Sequence, residues 1–333
     1  MAKPKGLFVL ESSSFEKIYG AELYCEVGEL VDLPERPLTA AEVLDDLSLL
    51  EGCEILFSGW GAPVLDGNFM TAASELKVFL YGAGSVRYCV TEASWLRGVR
   101  VCSAVAANAV PVAEYTLGTI LLGLKRFWHQ AQAYRDGAGR CKLPGSIPGG
   151  YGSTVGLVSL GTIGRLVCQL LRNFDVKVVA YDPFVTTAEA EKLGVELVAL
   201  GDVFALADVV SIHAPNLAET KGMITGEHIR AMRPGAVLIN TARGAVVCED
   251  EMAEVLAVRS DLWAILDVTI GENLVADAPL MKLPNVVRTP HIAGSQDGEC
   301  RRMGRYMVDE LRRYLNNEPL QHEITRERAE IMA

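Results

Sequence analysis

The stretch Thr154-Val155-Gly156-Leu157-Val158-Ser159-Leu160-Gly161-Thr162-Ile163-Gly164 most restricts what this chain can fold into. Residues 155–158 are apolar without alternation, the pattern of a strand covered on both faces, as in a parallel sheet between helices. The chain then turns through Gly161 and enters a helical pattern. Gly161 has no Cβ, so its backbone can approach a phosphate, and free N–H groups at a helix start attract anions. Gly164 lets the helix lie close against the strand. Asp182 follows the next apolar run, Val176-Lys177-Val178-Val179-Ala180-Tyr181. It lies about 20 residues beyond Gly161, where a carboxylate can accept hydrogen bonds from ribose hydroxyls. Strand, glycine turn, helix and acid in this register predict a dinucleotide site built on Gly161, Gly164 and Asp182. One position departs from the pattern, because Ser159 stands where the first glycine is usual. The expectation is that serine makes this turn with a negative φ.

A chain of 333 residues predicts two domains. The net charge of −11 argues against nucleic acid or an anionic membrane as a partner, although a local arginine can still hold a small anion. No uninterrupted apolar run reaches the roughly 18 residues of a membrane span. The apolar residues 7–10 behind Met1-Ala2-Lys3-Pro4-Lys5 are too few for a signal-peptide core. Eight cysteines are scattered without a Cys-x-x-Cys, which reads as buried free thiols rather than disulfides or metal ligands. A cytoplasmic, reduced protein without a metal is expected.

Strand patterns at 6–10, 55–58, 77–81 and 99–103, with helical patterns between them, predict a small α/β unit. Pro111 is expected to open a long apolar helix over 112–134, at the favoured first-turn position. After a Gly- and Pro-rich loop, strands are predicted at 154–159, 176–181, 208–213, 236–240, 262–267 and 286–289. Helices at 163–173, 186–193, 226–232 and 249–258 alternate with them, as in a doubly wound parallel sheet. The last helix, about 298–315, carries Arg301, Arg302, Arg305, Arg312 and Arg313, read as a solvated or domain-contacting face. The fold class is therefore α/β with two domains. A Rossmann-type doubly wound parallel sheet spans 105–295, and a smaller flavodoxin-like substrate domain combines 1–104 with 296–333.

Open α/β sheets bind ligands at the carboxyl ends of their strands. Those ends carry His213-Ala214-Pro215, Asn240-Thr241-Ala242-Arg243-Gly244, Asp267 with Glu272 five residues on, and Pro290-His291-Ile292-Ala293-Gly294. Arg243 can fork onto a carboxylate and polarise the adjacent carbonyl. His291 can protonate a carbonyl oxygen near neutral pH. Glu272 can fix the histidine tautomer. Singly, each residue has a plain reading: a salt bridge, a hydrogen-bonded core histidine, a solvated glutamate. Together, at three strand ends beside a dinucleotide turn, they predict hydride transfer to a small 2-oxo acid. Asp182 would repel a 2′-phosphate, and Pro183-Phe184-Val185-Thr186 offers no arginine to hold one, so the expected cofactor is NAD.

With these motifs in view, the chain resembles the D-isomer-specific 2-hydroxyacid dehydrogenases, the group that includes D-3-phosphoglycerate dehydrogenase. The resemblance spans nearly the whole chain. It rests on Asn108-Ala109-Val110-Pro111-Val112-Ala113-Glu114, Asn240–Gly244, Asp267-Val268-Thr269-Ile270-Gly271-Glu272 and Thr289-Pro290-His291-Ile292-Ala293-Gly294. It implies Arg243 for substrate carboxylate binding, Glu272 as histidine partner and His291 as acid/base. It also implies cofactor contacts at Thr162, Ile163, Asp182, Pro215, Thr241, Ala242, Arg243, Asp267, His291 and Gly294. Similarity to the family further suggests that Ala83, Gly84 and Ser85 offer backbone N–H groups to the substrate; the residues alone read equally as a tight turn. Two departures bear on the substrate: Val86-Arg87 replaces the Asp-Asn common after that loop, and Asn273 replaces a proline after the glutamate.

Two other readings are weighed. The chain could be an NAD(H)-sensing interaction or corepressor module, or it could oxidise a small anion such as formate. The set Arg243, Glu272 and His291 favours 2-oxo acid reduction over both. Leu117, Ile120, Leu121, Leu122, Leu124, Phe127 and Trp128 supply more apolar surface than one helix face needs, which predicts a homodimer. Trp128 and His129 read as core or interface packing.

Overall fold

The computed structural model describes residues 3–139, 149–271 and 278–332. The chain divides into two compact units: one reaches from the N-terminus to Asn108 and resumes at Ser295–Met332, and the other is Ala109–Gly294.

The first unit is built on a five-stranded sheet. Its strands are β1 (Gly6–Phe8), β2 (Ile55–Ser58), β3 (Val78–Tyr81), β4 (Arg100–Ser103) and β12 (Glu323–Ile324), in that spatial order. Strands β1 to β4 run parallel, and β12 closes the edge antiparallel to β4. Alternate side chains feed two cores: Leu56 and Phe79 face one way with Phe69 and Met70, Ile55 and Phe57 the other with Ile18 and Met307. That division follows from the two-residue period of a strand. The C-terminal helix Cys300–Leu315 buries Met303, Met307, Val308 and Leu311 in the second of these cores. Its arginines have definite partners within the unit: Arg305 and Arg312 both reach Glu26, and Arg313 reaches the fully buried Glu310.

The second unit carries a seven-stranded, all-parallel sheet. Its strands are β5 (Thr154–Val158), β6 (Lys177–Tyr181), β7 (Glu196–Leu197), β8 (Val209–Ile212), β9 (Val237–Asn240), β10 (Trp263–Leu266) and β11 (Val286–Arg288). Their spatial order is β11-β10-β9-β8-β5-β6-β7, so chain direction across the sheet reverses at β5, between β8 and β6. A doubly wound α/β sheet of this kind is the fold class predicted from the sequence. Gly156 lies inside β5 because the neighbouring helix Leu200–Leu206 presses on it: a Cβ there would meet Val203 at 2.7 Å and Ala207 at 2.9 Å.

Pro111 does not open its helix. The helix is Val105–Leu124, with Pro111 in its interior. The Ser103 hydroxyl accepts from the Val105 N–H at 3.1 Å and starts the helix before the proline is reached. Nor is the helix continuous to residue 134. Arg126 adopts a left-handed conformation (φ 50°), and a second helix, Phe127–Arg135, follows. Val105–Leu124 is long and apolar enough to cross a membrane by length and composition. Here Ala113, Ile120 and Leu124 sit in the core against Val155, Val209, Val237 and Ile265. His129 is buried beside Trp263, its Nε2 2.8 Å from the Asp261 carbonyl, so it packs in the core.

Candidate functional site

The turn after β5 is the first part of the site. Gly161 caps the helix Thr162–Leu171 in extended conformation, with no side chain capping the first N–H groups. Gly161 and Thr162 are exposed and Ile163 is half-buried, so this uncapped helix start is open to solvent and suited to an anion. Gly164 serves packing: a Cβ there would strike the Ser159 carbonyl oxygen at 2.3 Å. Ser159 departs from the expectation of a negative φ, since it holds φ 79°. The glycine-shaped turn is kept, and serine is forced into the left-handed region that glycine would occupy without strain.

Asp182 stands beside this turn. Its Oδ2 accepts from the Leu160 N–H at 2.7 Å and from the Ser159 hydroxyl at 3.3 Å, and its Oδ1 accepts from the Phe184 N–H at 2.9 Å. The carboxylate is half-buried and joins the turn to the end of β6. The uncapped helix start, the open side of Gly161 and this fixed carboxylate fit the phosphates and ribose of a dinucleotide.

The second part lies across the switch point, at the ends of β8, β9, β10 and β11. Beyond β8, the Thr220 hydroxyl donates to the Pro215 carbonyl and accepts from the Leu217 N–H at 2.9 Å, which closes that loop. His213, at the end of β8, is buried with neither ring nitrogen hydrogen-bonded among the described residues. Burial lowers its pKa to about 4, so it is neutral.

After β9, the Asn240 side chain clamps its own loop. Its Oδ1 accepts from the Ala242 N–H at 3.0 Å, and its Nδ2 donates to the Arg243 carbonyl at 3.1 Å. Thr241 is buried, its hydroxyl 3.3 Å from that of Thr116. Gly244 allows the loop to meet the one after β10, for a Cβ there would lie 2.1 Å from the Thr269 carbonyl carbon. Arg243 thus projects from a braced loop, half-buried, with Nη1 donating to the Ala242 carbonyl at 2.7 Å.

The loop after β11 is held by Asp267, at the end of β10. This carboxylate is 2 % exposed. Oδ1 accepts from the Thr289 hydroxyl at 2.6 Å and the Ile292 N–H at 2.8 Å, while Oδ2 accepts from the Ala293 N–H at 2.9 Å. The His291 N–H donates to the Asp267 carbonyl at 3.0 Å. His291 itself is exposed and left-handed, φ 55°. Residues on both sides of the histidine are therefore pinned to one buried carboxylate. Gly294 ends the segment and is half-buried.

Register pairs Asn240 with Leu266 and Leu266 with Arg288, so the Arg243, Asp267 and His291 loops leave three adjacent strands at one level. Glu272 lies outside the described residues. Two contributors went unread in the sequence. Glu249 accepts from the Ile270 N–H at 2.5 Å and is held above its usual range by burial, yet Cys248-Glu249-Asp250-Glu251 reads only as an acidic helix start. The Tyr115 hydroxyl lies 3.2 Å from that of Thr289, extending the brace on the histidine loop; no local pattern signals it.

In the first unit, the loop after β3 is shaped by Ser103, whose hydroxyl reaches the carbonyls of Ala83 at 3.1 Å and Gly84 at 2.5 Å. The N–H groups of Ala83, Gly84 and Ser85 make no hydrogen bond among the described residues. Ala83 is fully buried, and Gly84 and Ser85 are half-buried.

With this geometry described, comparison with known proteins adds the following. Residues 117–293 match the family model described as D-isomer specific 2-hydroxyacid dehydrogenase, NAD binding domain. The chain is 33 % identical over 289 residues to D-3-phosphoglycerate dehydrogenase of Mycobacterium bovis, covering 86 % of this chain and 53 % of that protein. It thus spans about half the length of that relative. It is 29 % identical over 299 residues to the glyoxylate reductase of Korarchaeum cryptofilum, covering 84 % and 90 % of the two chains. The NAD-complexed D-isomer specific 2-hydroxyacid dehydrogenase of Lactobacillus delbrueckii ssp. bulgaricus shares the fold, with TM-score 0.76 at 22 % identity over 96 % of this chain and 100 % of that one. The glycine turn, the fixed Asp182 and the rim of Arg243 and His291 therefore lie in an NAD-binding domain, and the chain belongs to the D-isomer-specific 2-hydroxyacid dehydrogenase family.

Proposed function

We propose that this protein is an NAD-dependent oxidoreductase that interconverts a small 2-oxo acid and the corresponding D-2-hydroxy acid. The observation that carries the proposal is the alignment of the Arg243, Asp267 and His291 loops on three successive parallel strands, on the rim that also carries the glycine turn. Gly161, Thr162, Ile163 and Gly164 would hold the phosphates, and Asp182 the adenosine ribose. Pro215, Thr241, Ala242, Asp267 and Gly294 would flank the remainder, alongside Arg243 and His291. When bound, NAD(H) supplies or accepts the hydride.

The chain's own residues do the rest. Arg243 binds the substrate carboxylate through its guanidinium fork and draws electron density from the neighbouring carbonyl. His291 gives a proton to the carbonyl oxygen in reduction and takes it back in oxidation. Glu272, as its partner, would favour the imidazolium. Ala83, Gly84 and Ser85 of the first unit would add backbone donors to the substrate carboxylate, making that unit, proposed as 1–104 with 296–333, the substrate domain.

Leu122 is 43 % exposed, Phe127 48 % and Tyr134 77 %, all on the paired helices Val105–Leu124 and Phe127–Arg135. These exposed apolar side chains support a homodimer, for which light scattering should give twice the 36.0 kDa chain mass. A reducing cytoplasm suits the buried thiols of Cys53, Cys89 and Cys168, each pushed up to about 12 by burial.

A panel of glyoxylate, hydroxypyruvate, pyruvate and phenylpyruvate, followed by NADH absorbance, tests the reaction. Turnover of at least one supports it. Tight NADH binding without turnover of any would move the assignment to an NAD(H)-sensing module.

A further inference from the structure

Ser159 remains unused by the mechanism above, and it is where this chain departs from the glycine pattern. Its hydroxyl lies 3.3 Å from Asp182 Oδ2, an oxygen already held by the Leu160 N–H at 2.7 Å. The other oxygen is held by the Phe184 N–H at 2.9 Å. Two backbone donors on two oxygens already fix the carboxylate, so the longer bond from Ser159 adds little to its placement.

The count of acceptor sites gives this bond a consequence. An ionised carboxylate offers about four lone-pair sites. Leu160, Phe184 and Ser159 occupy three. An adenosine ribose presents two hydroxyls, and both donating to Asp182 would raise the demand to five. The two backbone donors are fixed by the course of their own loops. The Ser159 hydroxyl can rotate about one bond.

We infer that Ser159 is an affinity-setting residue for the dinucleotide: its hydroxyl holds a lone pair of Asp182 that the adenosine ribose needs, and it must turn away when the ribose binds. The inference rests on the assignment of Asp182 to that ribose. Removing the hydroxyl frees an acceptor that binding otherwise has to clear, so the dinucleotide binds more tightly. The gain passes through Asp182 and through a ribose with both hydroxyls free. NADPH, whose 2′-oxygen carries phosphate, gains less.

The test is a fluorescence titration of the full chain with NADH and with NADPH, for wild type, Ser159→Ala, Ser159→Gly, Asp182→Ala and the Ser159→Ala/Asp182→Ala double variant. Ser159→Gly guards against misfolding, because glycine accepts φ 79° without strain. Loss of one competing hydrogen bond should lower the NADH Kd about 2- to 5-fold in Ser159→Ala and Ser159→Gly. The gain should be smaller for NADPH and vanish in the Asp182→Ala background. An unchanged or higher NADH Kd in both Ser159 variants would overturn the inference, as would an equal gain without Asp182. If wild type bound no NADH, the cofactor assignment would fall and the inference with it. Wild-type binding with no gain in the variants would overturn the inference alone.

Discussion

Ser159 and His291 are two non-glycine residues in left-handed backbone on the same sheet rim, yet they are held in opposite ways. His291, at φ 55°, sits in a loop pinned by a carboxylate only 2 % exposed that accepts three hydrogen bonds. Ser159, at φ 79°, has one long side-chain bond to a half-buried carboxylate, and its carbonyl lies against Gly164, where a side chain would not fit. Each left-handed residue costs on the order of 1–2 kcal/mol. At His291 that cost is offset by charge-assisted bonds in a desolvated place, where they are strongest. The difference fits the two tasks proposed for them. A proton donor must sit within hydrogen-bond reach of one atom, whereas a phosphate-binding turn needs only its N–H groups turned outward.

The largest effect expected from breaking the comparison is at the histidine. His291→Ala should lower kcat by about 10²–10⁴-fold, the usual worth of a positioned acid/base, while the NADH Kd stays within a few-fold. Stopped-flow or steady-state assays with a working 2-oxo acid measure this. Near-normal turnover at its best pH would remove His291 from the reaction.

Next is the brace. Asp267→Ala leaves the Thr289 hydroxyl and the Ile292 and Ala293 N–H groups without their acceptor. Leaving buried donors unmade costs about 1–3 kcal/mol each where water cannot replace the bond, so a loss of roughly 3 kcal/mol in urea unfolding is expected. If Asp267 acts by positioning, kcat should fall while the pH profile keeps the histidine limb. A variant of unchanged stability would show that the loop holds itself.

Much of this rim was legible because a doubly wound sheet writes itself as apolar runs ending in polar residues. Val209–Ile212, Val237–Asn240 and Trp263–Leu266 are buried throughout, and the residues that follow them are the polar ones. What stayed hidden depends on partners remote in sequence. Pro111 looked like a helix start, since nothing near it reveals that Ser103 begins the helix upstream. The break at Arg126 carries no glycine or asparagine to announce it. Asp267 was assigned to the cofactor by resemblance, and its hold on the histidine loop appears only once β10 and β11 lie side by side. The sign of φ at Ser159 was missed because composition favours a negative value, while the fold requires the glycine shape.

His213 sharpens the contrast, being a buried histidine whose ring nitrogens make no hydrogen bond among the described residues. Its folded pKa is about 4, against 6.5 for the free side chain. Above pH 6.5 it is neutral in both states. As pH falls from 6.5 towards 4, the unfolded chain binds a proton that the native state does not, so stability drops. The slope is about 1.4 kcal/mol per pH unit, roughly 3 kcal/mol by pH 4. His213→Leu should remove that slope from a urea-unfolding series over this window and be neutral or stabilising at pH 7, since no hydrogen bond is lost. An unchanged slope would mean that His213 protonates in the native state.

The smallest effect separates strain from function. Ser159→Gly relieves about 1–2 kcal/mol of left-handed backbone cost but gives back about 0.4–1 kcal/mol to the greater freedom of glycine in the unfolded chain. A net gain of roughly 0.5–1 kcal/mol follows, or a Tm rise of about 1–4 °C for a unit of this size. His291→Gly relieves the same kind of strain, and the three bonds to Asp267 come from neighbouring residues and survive. Its turnover should collapse as in His291→Ala, and its Tm reads whether the relieved backbone strain exceeds the loss of the side chain's own contacts. Calorimetry of the two glycine variants beside a turnover assay reads both quantities. If Ser159→Gly were destabilised, its hydroxyl would be holding the turn together, and the two left-handed residues would not differ in the way the geometry indicates.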